Sequence, residues 1–395
     1  MKILMLTPYL PYPLLSGGQI RTYNLLKKLA KKHEITLFAL IKDYSEQQYV
    51  PEIEKYCKKV IVFKRSKQPF TFKNIFKTAF SSYPFLVIRN HVPAAVPAMK
   101  QELAEGDYDL IHAETFYMMP HLPQTEIPTM LVEQTIEYLG YESYAQKAPF
   151  FIKPLFNLDI KKIKHWEKYY WEKSDKLITM SEGDKAYIQK FVSNPKKIEV
   201  VSNGIDGDWF DQVKTNLPKN PTVLYVGTFK WLPNIEAVNF LVKKVWPKIK
   251  QQIPQAKLWI VGNAPTEQIK NYDKQDSQIT VSGKIADIRT AFKGSHVLTA
   301  PVFSGKGTRY KILEAMACGT PIVATPIAIE GLNVQNHKHV LTAKNADEMA
   351  QKTIEVISDN TLWQKLSQNG YQFVQKNYDW QLISKKLDKI YQSMG

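Results

Sequence analysis

The sequence predicts an α/β protein made of two similar halves, each with a parallel sheet of the doubly wound type. Its 395 residues exceed what one hydrophobic core usually holds. Short apolar runs alternate with helical stretches along the chain, as strands and helices do in α/β folds. The pair Gly17 and Gly18 separates the first strand from the first helix, as at the start of such a sheet.

The first half begins with a strand at residues 3–6, a Pro/Gly loop and an amphipathic helix from about residue 20 to residue 32. Each later strand is a short apolar run with a helical stretch or a loop after it. Further strands are predicted at residues 34–40, 59–63, 109–113, 129–134, 175–181 and 198–205.

A polar segment at residues 206–221, with two prolines, is predicted to be a linker to the second half. A long helix is predicted at residues 234–252, after the first strand of that half. The final stretch, residues 379–394, is an amphipathic helix that could pack on either half. Strands of the second half are predicted at residues 222–229, 256–263, 279–285, 296–302 and 320–326.

The net charge of +16 and the isoelectric point near 9.4 predict a surface that attracts nucleic acid, anionic lipid or phosphorylated small molecules. A generally lysine-rich surface explains much of the same excess. The only cysteines, Cys57 and Cys318, allow neither a disulfide framework nor a zinc site, and a reducing cytoplasm fits them. Prolines interrupt the apolar start of the chain, so we expect no signal peptide, and no apolar run is long enough to predict a membrane-spanning helix.

The stretch GKGTRYKILEAMACGTPIVAT, at residues 305–325, combines a glycine-rich loop with a helix start. Thr308 is a plausible N-cap, and Arg309 could grip phosphate oxygens in bidentate fashion. Glu314 lies farther along the helix, where its carboxylate could accept from two adjacent ribose hydroxyls. The alternative is a turn leading into a buried helix, with Glu314 facing solvent.

Other polar residues also follow strands. Gly17 and Gly18 could let a ligand approach the helix N-terminus, although a plain turn explains them equally well. His112 lies at a strand end, where parallel sheets bind ligands, or it is a buried histidine bonded to backbone. Glu133 and Glu137 could serve acid–base chemistry or bind hydroxyls, but loop carboxylates are more often solvated.

Two tracts mix lysines with aromatic residues, at residues 64–85 and 147–173. In a cytoplasmic protein they predict contact with an anionic membrane surface. Stacking on nucleic acid is a competing interpretation. The third alternative is that the aromatic residues belong to the core and the lysines form its solvated face.

Several stretches, in their order and spacing, resemble the retaining glycosyltransferases of family 4, the group 1 glycosyl transferases with the glycosyltransferase-B fold. The resemblance covers nearly the whole chain. The strongest match is residues 305–325, and SGGQIRTYNLLKKLAKKHEITLF at residues 16–38 is similar to that family's opening. DLIHAE at residues 109–114 resembles a strand of the family's first domain. YVGTFKWLPNIEAVNFL at residues 225–241 resembles the start of the family's second domain.

This resemblance implies two Rossmann-like domains that face a central cleft. Residues 1–205, together with a returning C-terminal helix at residues 378–395, would form the acceptor domain. Residues 206–377 would bind the nucleotide sugar.

The same resemblance implies donor-binding or catalytic roles for individual residues. It implies no metal-binding residue. Glu314 matches the glutamate that holds the ribose hydroxyls, backbone around Lys284 and Ile285 would meet the base, and His112 matches a histidine near the transferred sugar. The other donor-binding positions are Gly17, Gly18, Gly227, Lys306, Gly307 and Thr308.

The sequence departs from the family pattern at two places. Many members carry a glutamate eight positions before the ribose-binding one, where this chain has Lys306. Many also place an arginine directly after the glycine that ends the first strand of the second domain, but here Gly227 is followed by Thr228. We therefore expect Lys230 and Arg309, together with Lys306, to neutralise the diphosphate.

The resemblance implies a cytoplasmic, peripheral hexosyltransferase that uses a UDP or GDP sugar and needs neither a metal nor another cofactor. Its acceptor would be a glycan or a lipid-linked glycan at the inner membrane face, as in polysaccharide synthesis. The runner-up enzyme is a nucleotide-sugar epimerase of the same architecture. From another class, a nucleic-acid-binding protein would explain the net charge, and a non-catalytic glycan-binding relative would explain Lys306.

Overall fold

The computed structural model describes residues 1–146, 148–305 and 307–395, which form two compact units. The N-terminal unit comprises Met1–Asn203 and Trp380–Gly395, and the C-terminal unit comprises Gly204–Asp379. The sequence placed these boundaries at residues 205 and 378. Each unit contains one parallel sheet packed with helices, which confirms the predicted α/β fold class.

The sheet of the N-terminal unit has seven strands in the order β3-β2-β1-β4-β5-β6-β7, and all neighbours run parallel. Its strands are β1 (Lys2–Thr7), β2 (Glu34–Ile41), β3 (Lys59–Lys64), β4 (Leu110–Glu114), β5 (Thr129–Glu133), β6 (Lys176–Thr179) and β7 (Ile198–Val200). Its first eight helices are α1 (Gly17–Leu29), α2 (Val50–Glu54), α3 (Phe72–Phe80), α4 (Phe85–Asn90), α5 (Ala95–Glu105), α6 (Glu137–Gln146), α7 (Lys153–Lys173) and α8 (Glu182–Ile188).

The sheet of the C-terminal unit has six strands in the order β10-β9-β8-β11-β12-β13, again with parallel neighbours. Its strands are β8 (Thr222–Val226), β9 (Lys257–Val261), β10 (Ile279–Ser282), β11 (Val297–Ala300), β12 (Ile322–Ala324) and β13 (Leu341–Thr342). The helices are α9 (Gly207–Asp211), α10 (Leu232–Phe240), α11 (Trp246–Gln252), α12 (Glu267–Lys270), α13 (Tyr272–Gln275), α14 (Ile288–Lys293), α15 (Tyr310–Ala317), α16 (Ala346–Ser358) and α17 (Asn360–Tyr378).

Two sequence expectations in this half are wrong in detail. The expected linker contains the short helix α9, which the Asp206 side chain caps by accepting from the Trp209 N–H at 3.2 Å. The long helix expected at residues 234–252 is divided into α10 and α11 by a π-helical turn at Leu241–Val245. Pro247 lacks the N–H that would bond to the fourth residue before it, and this favours a wider turn at that point.

Helix α18 (Trp380–Gln392) packs in the N-terminal unit. The sequence pattern alone allowed this helix to pack on either half. Its apolar side buries Trp380 and Leu387, each with at most 1% of its surface exposed. Its Asp388 carboxylate accepts from Lys32 Nζ at 2.5 Å and contacts His33 Nε2 at 2.9 Å. Burial alone would raise the pKa of Asp388, but hydrogen bonds from Lys32 and His33 outweigh burial and lower it.

We expect Asp388→Asn to lower the free energy of unfolding by about 1–3 kcal/mol, because it weakens two hydrogen bonds at a buried position. Because the folded-state pKa is lowered, the stabilisation is present above the unfolded pKa and disappears as the pH falls through the folded one. Urea unfolding at neutral and acidic pH measures both effects. Asp347→Asn, at an exposed ion pair with Lys248, is the control. Equal stability of Asp388→Asn and wild type at neutral pH would show that Asp388 does not hold α18 in the N-terminal unit.

Candidate functional site

The predicted donor-binding residues of the C-terminal unit follow three of its strands. Because all strands of this sheet are parallel, the loops after β8, β10 and β11 leave from the same edge, where such sheets bind ligands. The described residues at this edge are Gly227 and Lys230 after β8, Lys284 and Ile285 after β10, and Gly307, Thr308, Arg309 and Glu314 after β11.

The loop after β11 closes around the side chain of Arg309. Gly305 and Gly307 have φ angles of 94° and 88°, in the left-handed region that favours glycine. The Arg309 guanidinium donates to the carbonyl oxygens of Ser304 at 3.2 Å and of Gly307 at 3.1 Å. Arg309 therefore shapes the glycine-rich loop and also places a positive charge there. The predicted site residue Lys306 lies outside the described residues.

The predicted N-cap of this loop's helix is wrong. Helix α15 begins at Tyr310, so Arg309 rather than Thr308 occupies the N-cap position. The Arg309 side chain makes no capping hydrogen bond, since it bonds to the loop. In the first turn of α15 the Ile312 N–H donates instead to the Arg309 carbonyl oxygen at 2.9 Å.

Lys311 and Glu314 lie three residues apart on α15, on the same side of the helix. Burial raises the pKa of Glu314 to about 7, although the charge of Lys311 opposes this rise. Burial and the nearby charge of Arg309 lower the pKa of Lys311 to about 7, while Glu314 opposes that change. Both groups consequently titrate near neutral pH, where a bound ligand can shift either one.

Lys311 also links α15 to β8 and α10. Its Nζ donates to Asn234 Oδ1 at 3.0 Å and to Tyr225 Oη at 3.2 Å, and it lies 4.4 Å from the centre of the Tyr225 ring. Asn234 Nδ2 in turn donates to the carbonyl oxygen of Thr228 at 2.9 Å. Sequence reasoning gave Lys311 no role, although its spacing from Glu314 on one helix face was a usable signal.

The other predicted residues of this unit have simpler surroundings. Gly227 donates its backbone N–H to the Val261 carbonyl oxygen at 3.0 Å, which ties the end of β8 to β9. Lys230 and Lys284 are exposed. Ile285 is partly buried and packs on the core of the unit, so its backbone rather than its side chain remains available to a ligand.

In the N-terminal unit, Gly17 and Gly18 are the first residues of α1, behind the N-cap Ser16. A Cβ atom at Gly18 would lie 2.5 Å from Tyr9 Oη and 2.7 Å from Gln134 Oε1. The structure therefore gives a packing reason for glycine at this position. Its predicted contact with a ligand stays a prediction.

Tyr9 and Gln134 belong to a chain of buried polar groups that includes His112. Gln134 Nε2 donates to Tyr9 Oη and to Glu114 Oε2, both at 2.7 Å. His112 Nε2 lies 3.2 Å from Glu114 Oε1, and His112 Nδ1 lies 2.5 Å from Tyr391 Oη on α18. The chain thus joins the ends of β1, β4 and β5 to the C-terminal helix.

His112 is fully buried and both of its ring nitrogens are engaged, so in this conformation it presents no surface to a substrate. The last residue of β4 is Glu114, two positions further on. Burial would raise the pKa of Glu114, but the hydrogen bond and charge of His112, with the charge of Arg21, lower it overall. The geometry therefore favours a positioning role for His112, and its direct contact with the sugar stays a prediction.

Glu133 and Glu137 have different surroundings. Glu133 is 2% exposed and accepts from Trp171 Nε1 at 3.1 Å, and burial together with the charge of Glu167 raises its pKa well above the usual range. Glu137 begins α6, and burial raises its pKa to about 7. The Glu167 carboxylate accepts from the N–H groups of Glu137 and Tyr138 at 2.7 and 3.2 Å and so caps α6.

Family models match both units. Residues 15–209 match the Glycosyltransferase Family 4 model, and residues 220–359 match Glycosyl transferases group 1. The chain belongs to glycosyltransferase family 4. The predicted family is therefore confirmed, and these matches do not favour the epimerase or the non-catalytic binding protein.

The relatives described next share less than 25% of their sequence with this chain. An uncharacterized 44.6 kDa protein in the cps region of Klebsiella pneumoniae is 24% identical over 392 residues, 96% of each chain. The phosphatidyl-myo-inositol mannosyltransferase of Mycobacterium tuberculosis H37Rv is 22% identical over 315 residues, 77% of this chain and 78% of the relative. Anabaena HepE, solved in complex with UDP-glucose, superimposes with a TM-score of 0.68 at 17% identity, with all of both chains covered. That likeness confirms the glycosyltransferase-B fold.

Lys311 lies two residues after Arg309, which is expected to neutralise the diphosphate, so we expect the Lys311 ammonium to act on the same group. Lys311→Met should then weaken the binding of a nucleoside diphosphate about tenfold below neutral pH, because one charge-assisted contact is removed. In the free protein the Lys311 ammonium is charged below pH about 7 and increasingly neutral above it. A diphosphate nearby would raise this pKa, so wild-type affinity should decline as the pH rises above neutrality, and the variant should lack that decline. Calorimetric titration with UDP and GDP measures both effects. Lys344→Met, at an exposed lysine, is the control. If the affinity of Lys311→Met still declined above neutral pH as that of wild type does, Lys311 would not contact the diphosphate.

Proposed function

We propose that this family-4 glycosyltransferase transfers a hexose from a UDP or GDP sugar, with retention of the anomeric configuration and without a metal or another cofactor. The acceptor is a glycan or a lipid-linked glycan at the cytoplasmic face of the membrane, and no nucleic acid is bound. The observation that carries the proposal is the pairing of the Arg309 loop with the Lys311–Glu314 face of α15, at the carboxyl edge of a parallel sheet. HepE, of the same fold, binds UDP-glucose.

The donor is held by the C-terminal unit in this proposal. Glu314 accepts from the ribose hydroxyls, and backbone at Lys284 and Ile285 meets the base. The diphosphate lies against the loop of Gly307 and the N-terminus of α15, a common geometry for phosphate binding. Gly17, Gly18, Gly227, Lys306 and Thr308 complete the predicted donor contacts.

The anomeric configuration is retained if the acceptor attacks the sugar on the same face from which the diphosphate departs. The bond between the anomeric carbon and the diphosphate oxygen breaks, the acceptor oxygen bonds to the same carbon, and the acceptor proton passes to the departing phosphate. Negative charge grows on the diphosphate during this step, so cations placed there lower the barrier most. Arg309 and Lys230, with Lys306, supply this charge.

His112 acts on the reaction through Glu114 in this proposal. Its ring fixes one carboxylate oxygen of Glu114, and Gln134 fixes the other. Glu114 ends β4 and is itself fully buried, so it acts on an acceptor through Gln134 and Tyr9, which lie at the carboxyl edge of the N-terminal sheet. His112 is then a positioning residue for the acceptor side.

An apolar face on the N-terminal unit supports the membrane location. We use this name for the exposed side chains around α3 and the start of α7. Lys162 Nζ donates to the carbonyl oxygens of Thr78 and Ser81, both at 2.7 Å, and so holds α7 against the end of α3. The apolar face comprises Phe70, Phe72, Ile75, Phe76, Phe80, Phe150, Phe151, Leu155 and Leu158, with exposed lysines Lys73, Lys77 and Lys161 among them.

The charge of these segments fits an anionic membrane surface. Residues 55–101 and 143–158 contain no Asp or Glu. Exposed aromatic side chains can enter the acyl boundary while the lysines remain at the lipid headgroups. Among the described residues, no helix is both long and apolar enough to cross a membrane.

A thermal-shift screen of the full chain against UDP and GDP sugars tests donor use, because a ligand that binds only the folded state raises its melting temperature. NMR of the product then gives its anomeric configuration. Retained configuration on an acceptor supports the proposal. An inverted product would overturn the retaining mechanism, and an epimerised donor would identify an epimerase. No shift with any nucleotide sugar would overturn the donor assignment.

Arg309→Ala should lower the transfer rate by about 10²- to 10³-fold, because a charge that stabilises the departing diphosphate is lost. Arg309→Lys should fall between the variant and wild type, since it keeps the charge but not the guanidinium fork. Initial rates with the donor found in the screen measure the effect, and circular dichroism checks the fold. A near wild-type rate for Arg309→Ala would show that the diphosphate is stabilised elsewhere.

Glu314→Gln should weaken nucleotide binding chiefly on the alkaline side of neutrality. With a pKa of about 7, the wild-type carboxylate is available to ribose hydroxyls above that pH and is protonated below it. Wild-type affinity should therefore fall as the pH drops below neutrality, and the variant should lose this acid-side decline. Calorimetry with UDP and with deoxy-UDP, which lacks one ribose hydroxyl, measures the effect. Equal affinity of variant and wild type for UDP would refute the ribose contact.

Replacing two residues of the apolar face, Phe76→Ser with Phe150→Ser, should weaken vesicle binding roughly tenfold or more, because two exposed aromatic rings no longer enter the lipid. Sedimentation with vesicles of phosphatidylcholine and phosphatidylglycerol measures the affinity. Leu382→Ser, at an exposed apolar residue of α18, is the matched control. Equal sedimentation of all three proteins would exclude the apolar face as the membrane contact.

A further inference from the structure

The buried polar chain that includes His112 ends at Tyr391 of α18. Tyr391 is fully buried, and its Oη lies 2.5 Å from His112 Nδ1. The Tyr391 ring meets the rings of His112 and His33 edge to face, with centres 5.9 and 5.5 Å away. Packing of α18 therefore places the hydroxyl, and the described residues offer it no second hydrogen-bonding partner.

The direction of each hydrogen bond in this chain follows from Glu114. A carboxylate can only accept, so the two nitrogens beside its oxygens must both donate. His112 Nε2, 3.2 Å from Oε1, therefore carries a hydrogen, and the Gln134 amide turns its NH2 group toward Oε2 at 2.7 Å. In a neutral imidazole the other nitrogen is then an acceptor, so Tyr391 donates to His112 Nδ1.

A protonated His112 would reverse the bond to Tyr391. Its Nδ1–H would donate to Tyr391 Oη, and the hydrogen of that buried hydroxyl would have no acceptor in the part of the chain that the structure describes. A buried donor without an acceptor is destabilising. The contacts therefore favour a neutral His112 that carries its hydrogen on Nε2.

The other end of the chain reaches the carboxyl edge of the sheet at Gln134. The Gln134 NH2 group donates to Glu114 and Tyr9, so Gln134 Oε1 points away from both. A Cβ atom at Gly18 would lie 2.7 Å from this Oε1, which places the oxygen beside the first residues of α1. Gln134 is partly exposed, whereas His112 and Glu114 are fully buried. Its Oε1 is thus the atom through which the chain can accept a hydrogen from a substrate hydroxyl.

We propose that Tyr391 is a positioning residue of the transfer reaction. By donating to His112 Nδ1, Tyr391 holds His112 as a donor to Glu114. Glu114 in turn holds the Gln134 amide with its Oε1 toward the acceptor hydroxyl. This inference rests on the proposed function, in which Glu114 acts on the acceptor through Gln134. Helix α18 thereby contributes to the acceptor side of the site without itself touching the substrate.

The tautomer of His112 is the first measurement. Long-range ¹H–¹⁵N correlation on the full chain, labelled with ¹⁵N-histidine, shows which ring nitrogen carries hydrogen, and the signals lost in His112→Asn belong to His112. We expect hydrogen on Nε2 and none on Nδ1. In Tyr391→Phe the Nδ1 signal should move to the shift of a nitrogen that accepts no hydrogen bond. A hydrogen on Nδ1 in wild type, or an unmoved Nδ1 signal in the variant, would overturn the proposal.

The reaction rate is the second measurement. Tyr391→Phe keeps the ring and removes the hydroxyl, so we expect about tenfold slower nucleotide release from the donor found in the screen, with water as the acceptor. Calorimetry should give an unchanged affinity for that donor. Tyr108→Phe is the matched control, because the Tyr108 hydroxyl also donates to a carboxylate of this unit, Glu102 Oε1 at 2.6 Å, and it should keep the wild-type rate. A near wild-type rate for Tyr391→Phe would overturn the proposal.

A double-mutant cycle separates positioning from a general effect on packing. Gln134→Met keeps a similar volume and removes the hydrogen bonds. If Tyr391 acts through Gln134, adding Tyr391→Phe to Gln134→Met should slow the reaction by less than about twofold. Equal losses from Tyr391→Phe in both backgrounds would overturn the proposal. The tautomer measurement needs no substrate, so failure of the donor screen and failure of the Tyr391 assignment are separate results.

Discussion

Parallel pairing of every neighbouring strand is the constraint on which the site depends. A parallel sheet covered by helices buries both of its faces, so its strands must be apolar and polar groups collect beyond their ends. The loops that carry Gly227, Lys284 and Arg309 all leave from carboxyl ends and therefore share one edge. The N-terminal sheet permits an exception at His112 and Glu114, where Tyr391 and Gln134 satisfy polar groups that would otherwise be costly inside a strand.

Both units keep charged groups in surroundings that do not favour charge. In the C-terminal unit, Lys311 and Glu314 are both shifted toward their neutral forms. In the N-terminal unit, burial and the charge of Glu167 raise the pKa of Glu133 well above its usual range. Such arrangements reduce the stability of the free protein, and they cluster at functional sites.

The sequence was sufficient for the fold because hydrophobic period and length carry that information. Strands such as β1 and β2 are continuous apolar runs, and each was predicted to within one or two residues of its bounds. Strand β13, with two residues, is too short to produce a pattern. The π-helical turn before Pro247 was missed because the helical period on both sides of it is intact.

The candidate site was predicted less completely, because side-chain direction is a tertiary property. The residues around Arg309 and Glu314 could be selected from their position after a strand, but the turn of the Arg309 guanidinium toward its own loop could not. His112 was selected for its place near a strand end, whereas its burial depends on Tyr391, far along the chain.

The docking of α18 has a consequence for the order of folding during synthesis. Tyr391 and Asp388 complete the interior of the N-terminal unit, yet the ribosome makes them after all of the C-terminal unit, Gly204–Asp379. A nascent chain of residues 1–203 therefore exposes the surface that α18 will cover while the second unit folds. The last helix thus couples completion of the first unit to completion of the second, and a chain released early would carry an unfinished, aggregation-prone surface.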